Sequence, residues 1–127
     1  MKVHRTLGPG FLESVYQNAL VHELRKTGLS AEVGQRITVR YENVIVGEFV
    51  ADLLINDVLL CELKAISTLS KADEVQLVNY LTATNRDVGL LLNFGGDSLQ
   101  FKRKYRRFVS DPHDVDLHNP VNPVNPV

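Results

Sequence analysis

The sequence of 127 residues holds a single cysteine, Cys61, and no tryptophan. A lone thiol excludes an intramolecular disulfide and any zinc or iron–sulfur site built from several cysteines. No apolar run reaches the roughly 18–20 residues that a membrane helix needs. The start, Met1-Lys2-Val3-His4-Arg5, has no apolar export segment, so no membrane association and a cytoplasmic location are expected. His4, His22, His113 and His118 show no metal-ligand spacing, and no serine sits in a nucleophile elbow. Gly8, Gly10, Gly95 and Gly96 do not form a G-x-x-x-x-G-K phosphate loop. Positive charge is missing from the last nineteen residues, Val109 to Val127, which carry three aspartates and no Lys or Arg. The remainder has 14 basic against 12 acidic groups, a balance that neither requires nor excludes a nucleic-acid partner.

What is present reads as one domain over residues 1–109, followed by a tail. Leu12, Val15, Tyr16, Ala19, Leu20 and Leu24 recur at helical spacing and predict an amphipathic helix over Phe11 to Lys26, closed by Gly28. The period then changes to two over Val33 to Tyr41, where Val33, Gln35, Ile37, Val39 and Tyr41 share a face. Glu42-Asn43 is a turn, and Val44 to Ile55 is a second strand broken by Gly47. After Asn56-Asp57, Val58 to Ala65 is apolar on both faces and predicts a central strand. Ser70 caps a helix running to about Asn85, with Asp73 and Glu74 in its first turn. Val88 to Phe94 is a buried strand, Gly95-Gly96 a turn, and Leu99 to Phe108 a basic edge strand. The order is α-β-β-β-α-β plus one element. Residues 110–127 end in three Asn-Pro-Val repeats and read as disordered, because proline every third residue prevents helix and sheet pairing alike.

Charged residues inside these apolar strands carry the chemistry. Asp52 lies in Val50-Ala51-Asp52-Leu53-Leu54-Ile55; Glu62 and Lys64 lie in Leu60-Cys61-Glu62-Leu63-Lys64. Such groups are almost never buried without a partner. Glu62 and Lys64, two apart, share a strand face, and an antiparallel hairpin brings Asp52 beside them if the connection has three residues or a bulge. A plain two-residue turn would pair Asp52 with Cys61 and send Glu62 to the other face. Two adjacent carboxylates repel each other, and a hard cation such as Mg2+ or Mn2+ relieves that conflict. The competing reading is a buried ion pair of Lys64 with Glu62 or Asp52.

Three further groups stand near this chemistry. Glu13 falls between Leu20 and Leu24 on a helical wheel, where it can face the sheet or stay at the rim, and Glu23 falls on the same sector. Gln76 and Tyr80, four apart, share a helix face that is either an inward polar site or an ordinary flank. Lys102, Arg103, Lys104, Arg106 and Arg107 either contact a phosphate backbone or protect a solvated edge strand.

The ordered set Asp52, Glu62-Leu63-Lys64 resembles the D…ExK signature of the PD-(D/E)XK nucleases, and Gln76-x-x-x-Tyr80 resembles the Q-x-x-x-Y motif of their RecB-like branch. Gly10-x-x-Glu13-x-x-Tyr16, with Gln76-Leu77-Val78-Asn79-Tyr80-Leu81 and Gly89-Leu90-Leu91-Leu92-Asn93-Phe94-Gly95, is similar to the bacterial GxxExxY proteins over about residues 3 to 108. The resemblance implies an α/β restriction-endonuclease-like core with a mixed central sheet flanked by helices. It implies that Glu13, Asp52 and Glu62 hold Mg2+ or Mn2+, that Lys64 is the catalytic lysine, and that Gln76 and Tyr80 belong to the site. Glu13 is then expected to point toward Asp52 and Glu62, and Glu23 toward solvent or a salt bridge. Some relatives carry His where this chain has Asp73, which either adds charge or serves as an extra ligand. The function implied is magnesium-dependent hydrolysis of DNA phosphodiesters; the alternative is an inactive nuclease-fold module that binds nucleic acid or a protein. A homodimer or larger complex is left open.

Overall fold

A computed structural model of the protein describes residues 1–107. The Asn-Pro-Val tail and the last residues of the domain lie outside the described residues. The elements are α1 (Lys2–Leu7), α2 (Glu13–Lys26), β1 (Ala31–Tyr41), β2 (Val44–Ile55), β3 (Leu59–Lys64), α3 (Lys71–Thr84), β4 (Val88–Asn93) and β5 (Gln100–Tyr105). The expected order is present, preceded by the short helix α1. Val3 and His4 of that helix are buried, and the His4 ring bonds the Gly96 carbonyl at 2.9 Å, so tertiary contact rather than helical periodicity fixes it.

Five strands form one mixed sheet in chain order, β1-β2-β3-β4-β5. All neighbours are antiparallel except β3 and β4, and α3 makes the crossover that a parallel pair requires. The doubly apolar β3 is central, as its composition predicts. Glu42 and Asn43 take left-handed backbone angles, with φ of 50° and 68°, as a two-residue hairpin turn demands. β2 is continuous through Gly47; the irregularity expected there is a register shift between Val39 and Arg40 on the paired strand. Ser70 closes a reciprocal capping box with Asp73, and Asn85 ends α3 in a left-handed conformation.

The two faces of the sheet are covered by different helices. Tyr16, Leu20 and Val21 of α2 cluster with Leu53, Cys61, Leu63 and Phe94. Leu77 and Leu81 of α3 cluster with Leu54, Leu60 and Leu91. Gly89 permits the close approach of α3: a Cβ there would stand 2.9 Å from the Leu60 carbonyl oxygen and 3.1 Å from a Leu77 methyl. Among the described residues, no helix is long and apolar enough to cross a membrane.

Candidate functional site

The connection between β2 and β3 has three residues, Asn56 to Val58, because pairing runs Ile55↔Leu59, Leu54↔Leu60 and Leu53↔Cys61. One step further in the same register stands Asp52 opposite Glu62, as a shared site requires. Beyond Leu53↔Cys61 the two side chains carry the bridging between strands. The Asp52 N–H donates to Glu62 Oε1 at 3.2 Å, and the Leu63 N–H donates to Asp52 Oδ2 at 2.7 Å. The sequence of β2 slips in phase here: Ala51 and Leu54 both belong to the cluster under α3, while Leu53 belongs to the other. Across the sheet, the β1–β2 ladder skips the Gly34/Asp52 step, and Gly34 has φ +78°.

Glu62 is buried, with 7% of its surface exposed. Its burial, followed by the neighbouring Asp52 charge, pushes its carboxyl up to about 8. The two acids are thus close enough to compete for one proton, the electrostatic conflict that a divalent cation resolves. The adjacent Cys61 thiol is pushed up to about 12 by burial and then by the charges of Glu62 and Asp52, so it stays protonated at neutral pH and offers no thiolate nucleophile.

Lys64 lies at the end of β3, and its ion pair is with neither acid. Lys64 Nζ stands 3.8 Å from Asp73 Oδ1. Asp73 is fixed in turn by the helix cap: its Oδ2 accepts from the Ser70 N–H and the Ser70 hydroxyl, each at 2.9 Å. The Ser70 backbone bond, above all, holds the Asp73 carboxyl below its ordinary range. The competing reading, an ion pair of Lys64 with Glu62 or Asp52, is thus not the pairing formed. The sequence places Ser70 as the cap with Asp73 in the first turn behind it; the Lys64 pair carries no sequence signal, because it depends on where α3 begins relative to β3.

Tyr80 and Gln76 part company. Tyr80 is buried at 9% exposure against Phe49, their ring centres 5.5 Å apart. Burial, then the charges of Glu62 and Asp52, raise its phenol, which places it beside the acid pair. Gln76 is exposed and, with Tyr80, lines a cleft of about 1140 Å³ between the β1–β2 hairpin and α3. The acids do not line that cleft; Tyr80 stands between.

Glu13 does not behave as expected. It is exposed in the first turn of α2, whereas Glu23 is half-buried and pairs with Lys2 at 3.6 Å and Lys26 at 3.2 Å. The first helical turn projects Glu13 past the end of the apolar stripe, so its wheel position does not bury it. Among the described residues, no group of three or more His, Cys, Asp or Glu side chains could hold a metal ion; the carboxylates brought together are two. In the Gly10-x-x-Glu13-x-x-Tyr16 string the structural member is Tyr16. Its hydroxyl donates to the Gly8 carbonyl at 2.6 Å and accepts from the Phe11 N–H at 3.1 Å, while its ring stacks on Phe94.

The basic segment is likewise divided. Lys104 pairs with Glu74 at 3.0 Å and Arg106 with Asp87 at 2.8 Å, so these two are engaged within the domain. Lys102 and Arg103 are exposed on β5, and Arg107 lines the cleft. Asn93, fully buried at the end of β4, was not singled out by residue chemistry alone. Its Oδ1 accepts from the Ile66 and Gly95 N–H groups at 2.9 and 3.1 Å, fixing the loop after Lys64. The available signal was one amide closing an otherwise apolar strand.

The donor set fits a hard divalent cation in kind: two carboxylates, one deeply buried, each with one oxygen already used by a strand amide. A family model described as the PD-(D/E)XK nuclease superfamily matches residues 1–108. The crystal structure of SSO0001 is similar in fold, with a TM-score of 0.56 at 16% identity, covering 76% of this chain and 50% of that chain. This chain therefore spans half the length of that protein. None of the curated proteins matches the sequence.

Proposed function

Because this chain belongs to the PD-(D/E)XK nuclease superfamily, we propose that it hydrolyses phosphodiester bonds of nucleic acid, DNA in the first instance, with Mg2+ or Mn2+. Within the superfamily, Gly10-x-x-Glu13-x-x-Tyr16 supports membership of the GxxExxY family, and Gln76-x-x-x-Tyr80 supports the RecB-like branch. The observation that carries the reading is the register that sets Asp52 opposite buried Glu62. These two residues would hold the ion, with water and substrate oxygens completing its shell. When bound, the ion supplies a water of lowered pKa and charge stabilisation at the phosphoryl oxygen. Lys64 would orient an attacking water or neutralise charge developing on the phosphate, and Asp73 would hold its ammonium in place. Tyr80 would stand beside the acids on the α3 side. Glu13, exposed and outside the pair, is not assigned as a ligand.

The second reading, a nuclease-fold module without turnover, is favoured by one observation: only two carboxylates converge among the described residues. Titration with Mg2+ and Mn2+ by calorimetry separates the two when combined with a cleavage assay under chelator control. The nuclease reading expects metal binding that Glu62→Ala abolishes. It also expects DNA cleavage that Asp52→Ala and Glu62→Ala remove, while Lys64→Ala slows cleavage and spares metal binding. A wild-type protein that neither binds metal nor cuts DNA refutes it.

A further inference from the structure

The cleft between the β1–β2 hairpin and α3 has an uneven chemical lining. It contains three cations, Arg40, Lys71 and Arg107, and no carboxylate. None of the three forms an ion pair among the described residues. The Nε of Arg107 is buried without a hydrogen-bond partner, although its Nη2 donates to Asn79 at 3.1 Å. The buried, unpartnered guanidinium nitrogen costs free energy left as it is, and with exposed Arg40 and Lys71 beside it the carboxylate-free lining attracts an anion. Phe49 adds a second feature. It is 44% exposed, yet held in place by its tilted contact with Tyr80. A fixed, exposed ring among unpaired cations is the combination on which unpaired bases stack while their phosphates are neutralised.

We infer that this cleft binds single-stranded nucleic acid, with Phe49 stacking on a base and Arg40, Lys71 and Arg107 meeting the backbone phosphates. The choice of a single strand follows from the geometry. The ring lies inside a cleft of about 1140 Å³, which suits a few nucleotides, and a paired base buried within a duplex has no free face to offer it. The cleft also adjoins the acids across Tyr80. Tyr80 forms its inner wall, and Phe49 precedes Asp52 on the same strand by three residues. A strand seated on Phe49 would therefore lie next to the Asp52–Glu62 pair, with Tyr80 between them. This substrate assignment rests on the reading of that pair as a nuclease centre, and it adds strandedness and a positioning surface to it.

Binding is measured with the full chain in excess chelator, so that no turnover intervenes. Fluorescence anisotropy reads labelled single-stranded DNA, single-stranded RNA and blunt duplex DNA of about twelve nucleotides, a length within the usual site size of such grooves. The expected result is single-strand binding at least about tenfold tighter than duplex binding, weakened roughly 5- to 100-fold by Phe49→Ala. Phe49→Leu, which keeps the apolar contact with Tyr80, should lose most of the same affinity, and circular dichroism confirms its fold. Arg40→Gln and Lys71→Gln should each weaken binding and reduce its salt slope by about one ion. Comparison of the DNA and RNA arms identifies which single strand is preferred. Equal or tighter duplex binding, no binding to any oligonucleotide at low salt, or a well-folded Phe49→Leu with wild-type affinity overturns the inference. Metal binding and cleavage with the duplex preferred would sink this inference and leave the nuclease reading standing. Single-strand binding with no metal affinity would do the reverse.

Discussion

Lys64 Nζ faces Asp73 Oδ1 at 3.8 Å, across the gap between the end of β3 and the start of α3. The same aspartate caps the helix through Ser70. One side chain therefore anchors both the helix and the ammonium. Two substitutions separate these duties. Asp73→Asn keeps an acceptor for the Ser70 N–H but removes the charge facing Lys64. It should cost less than about 1 kcal/mol of stability, leave metal affinity unchanged and lower kcat by up to about 100-fold through misplacement of the ammonium. Asp73→Ala should lose the cap as well, at about 1–2 kcal/mol. Urea melts, calorimetry and turnover on the same samples test this; a kcat unaffected by Asp73→Asn removes Asp73 from the site.

Glu62→Gln tests the electrostatic state of the pair without disturbing its shape. Glutamine keeps an acceptor for the Asp52 N–H and removes the buried charge. With the carboxyl pushed up to about 8, the metal-free variant should be more stable than wild type at pH 9 by on the order of a few kcal/mol, and nearly equal to it at pH 5. It should bind no divalent ion. A variant less stable than wild type at pH 9 would show that the Glu62 charge is favourably paired instead.

The same shift fixes the pH dependence. Between the ordinary carboxyl value of 4.5 and about 8, the folded metal-free protein binds a proton that the unfolded chain has lost. Its stability should fall as pH rises through that window, at no more than about 1.4 kcal/mol per pH unit. Metal must displace that proton, so metal affinity should rise over the same range with up to one proton released per ion. Calorimetry at pH 7 in two buffers of different ionisation enthalpy reads the proton directly; an identical apparent enthalpy in both refutes it.

Gly95 tests the support beneath Lys64. A Cβ there would collide with the carbonyl oxygen and the nitrogen of Ile66, so the loop after β3 has to move. Gly95→Ala should cost about 3 kcal/mol or more and shift Ile66 away from Asn93, visible as a large fall in Tm. A change within about 0.5 kcal/mol, the range of neutral surface substitutions, would show that the loop adapts freely.

Much of this arrangement is legible in the residues themselves. Turn residues on both sides delimit Val44–Ile55, and Ser70 and Asn85 bracket α3. The three-residue connection follows from requiring two carboxylates on one face. Legibility fails where long-range contact decides. Six residues of α1 show no readable period, and their anchor, Gly96, lies 92 residues away in sequence. Glu13 and Glu23 share a wheel sector, and only the position of each along the helix sets them apart. Phe49 reads as a strand interior residue, yet its ring faces the cleft beside α3 and stays 44% exposed.

Strand order equal to chain order has a kinetic consequence. Apart from the single α3 crossover, each ladder closes through a short connection, and Asp52 and Glu62 are ten residues apart. Hairpins of this kind form in about 1–10 μs, ahead of the non-local pairing of β3 with β4, which must wait for α3 to be traversed. The two acids therefore meet early in folding, while the β3 edge is still open to water. Divalent ions present at that stage would find a half-built site to bind, and refolding with Mg2+ or Mn2+ should accelerate if the β2–β3 hairpin belongs to the folding nucleus.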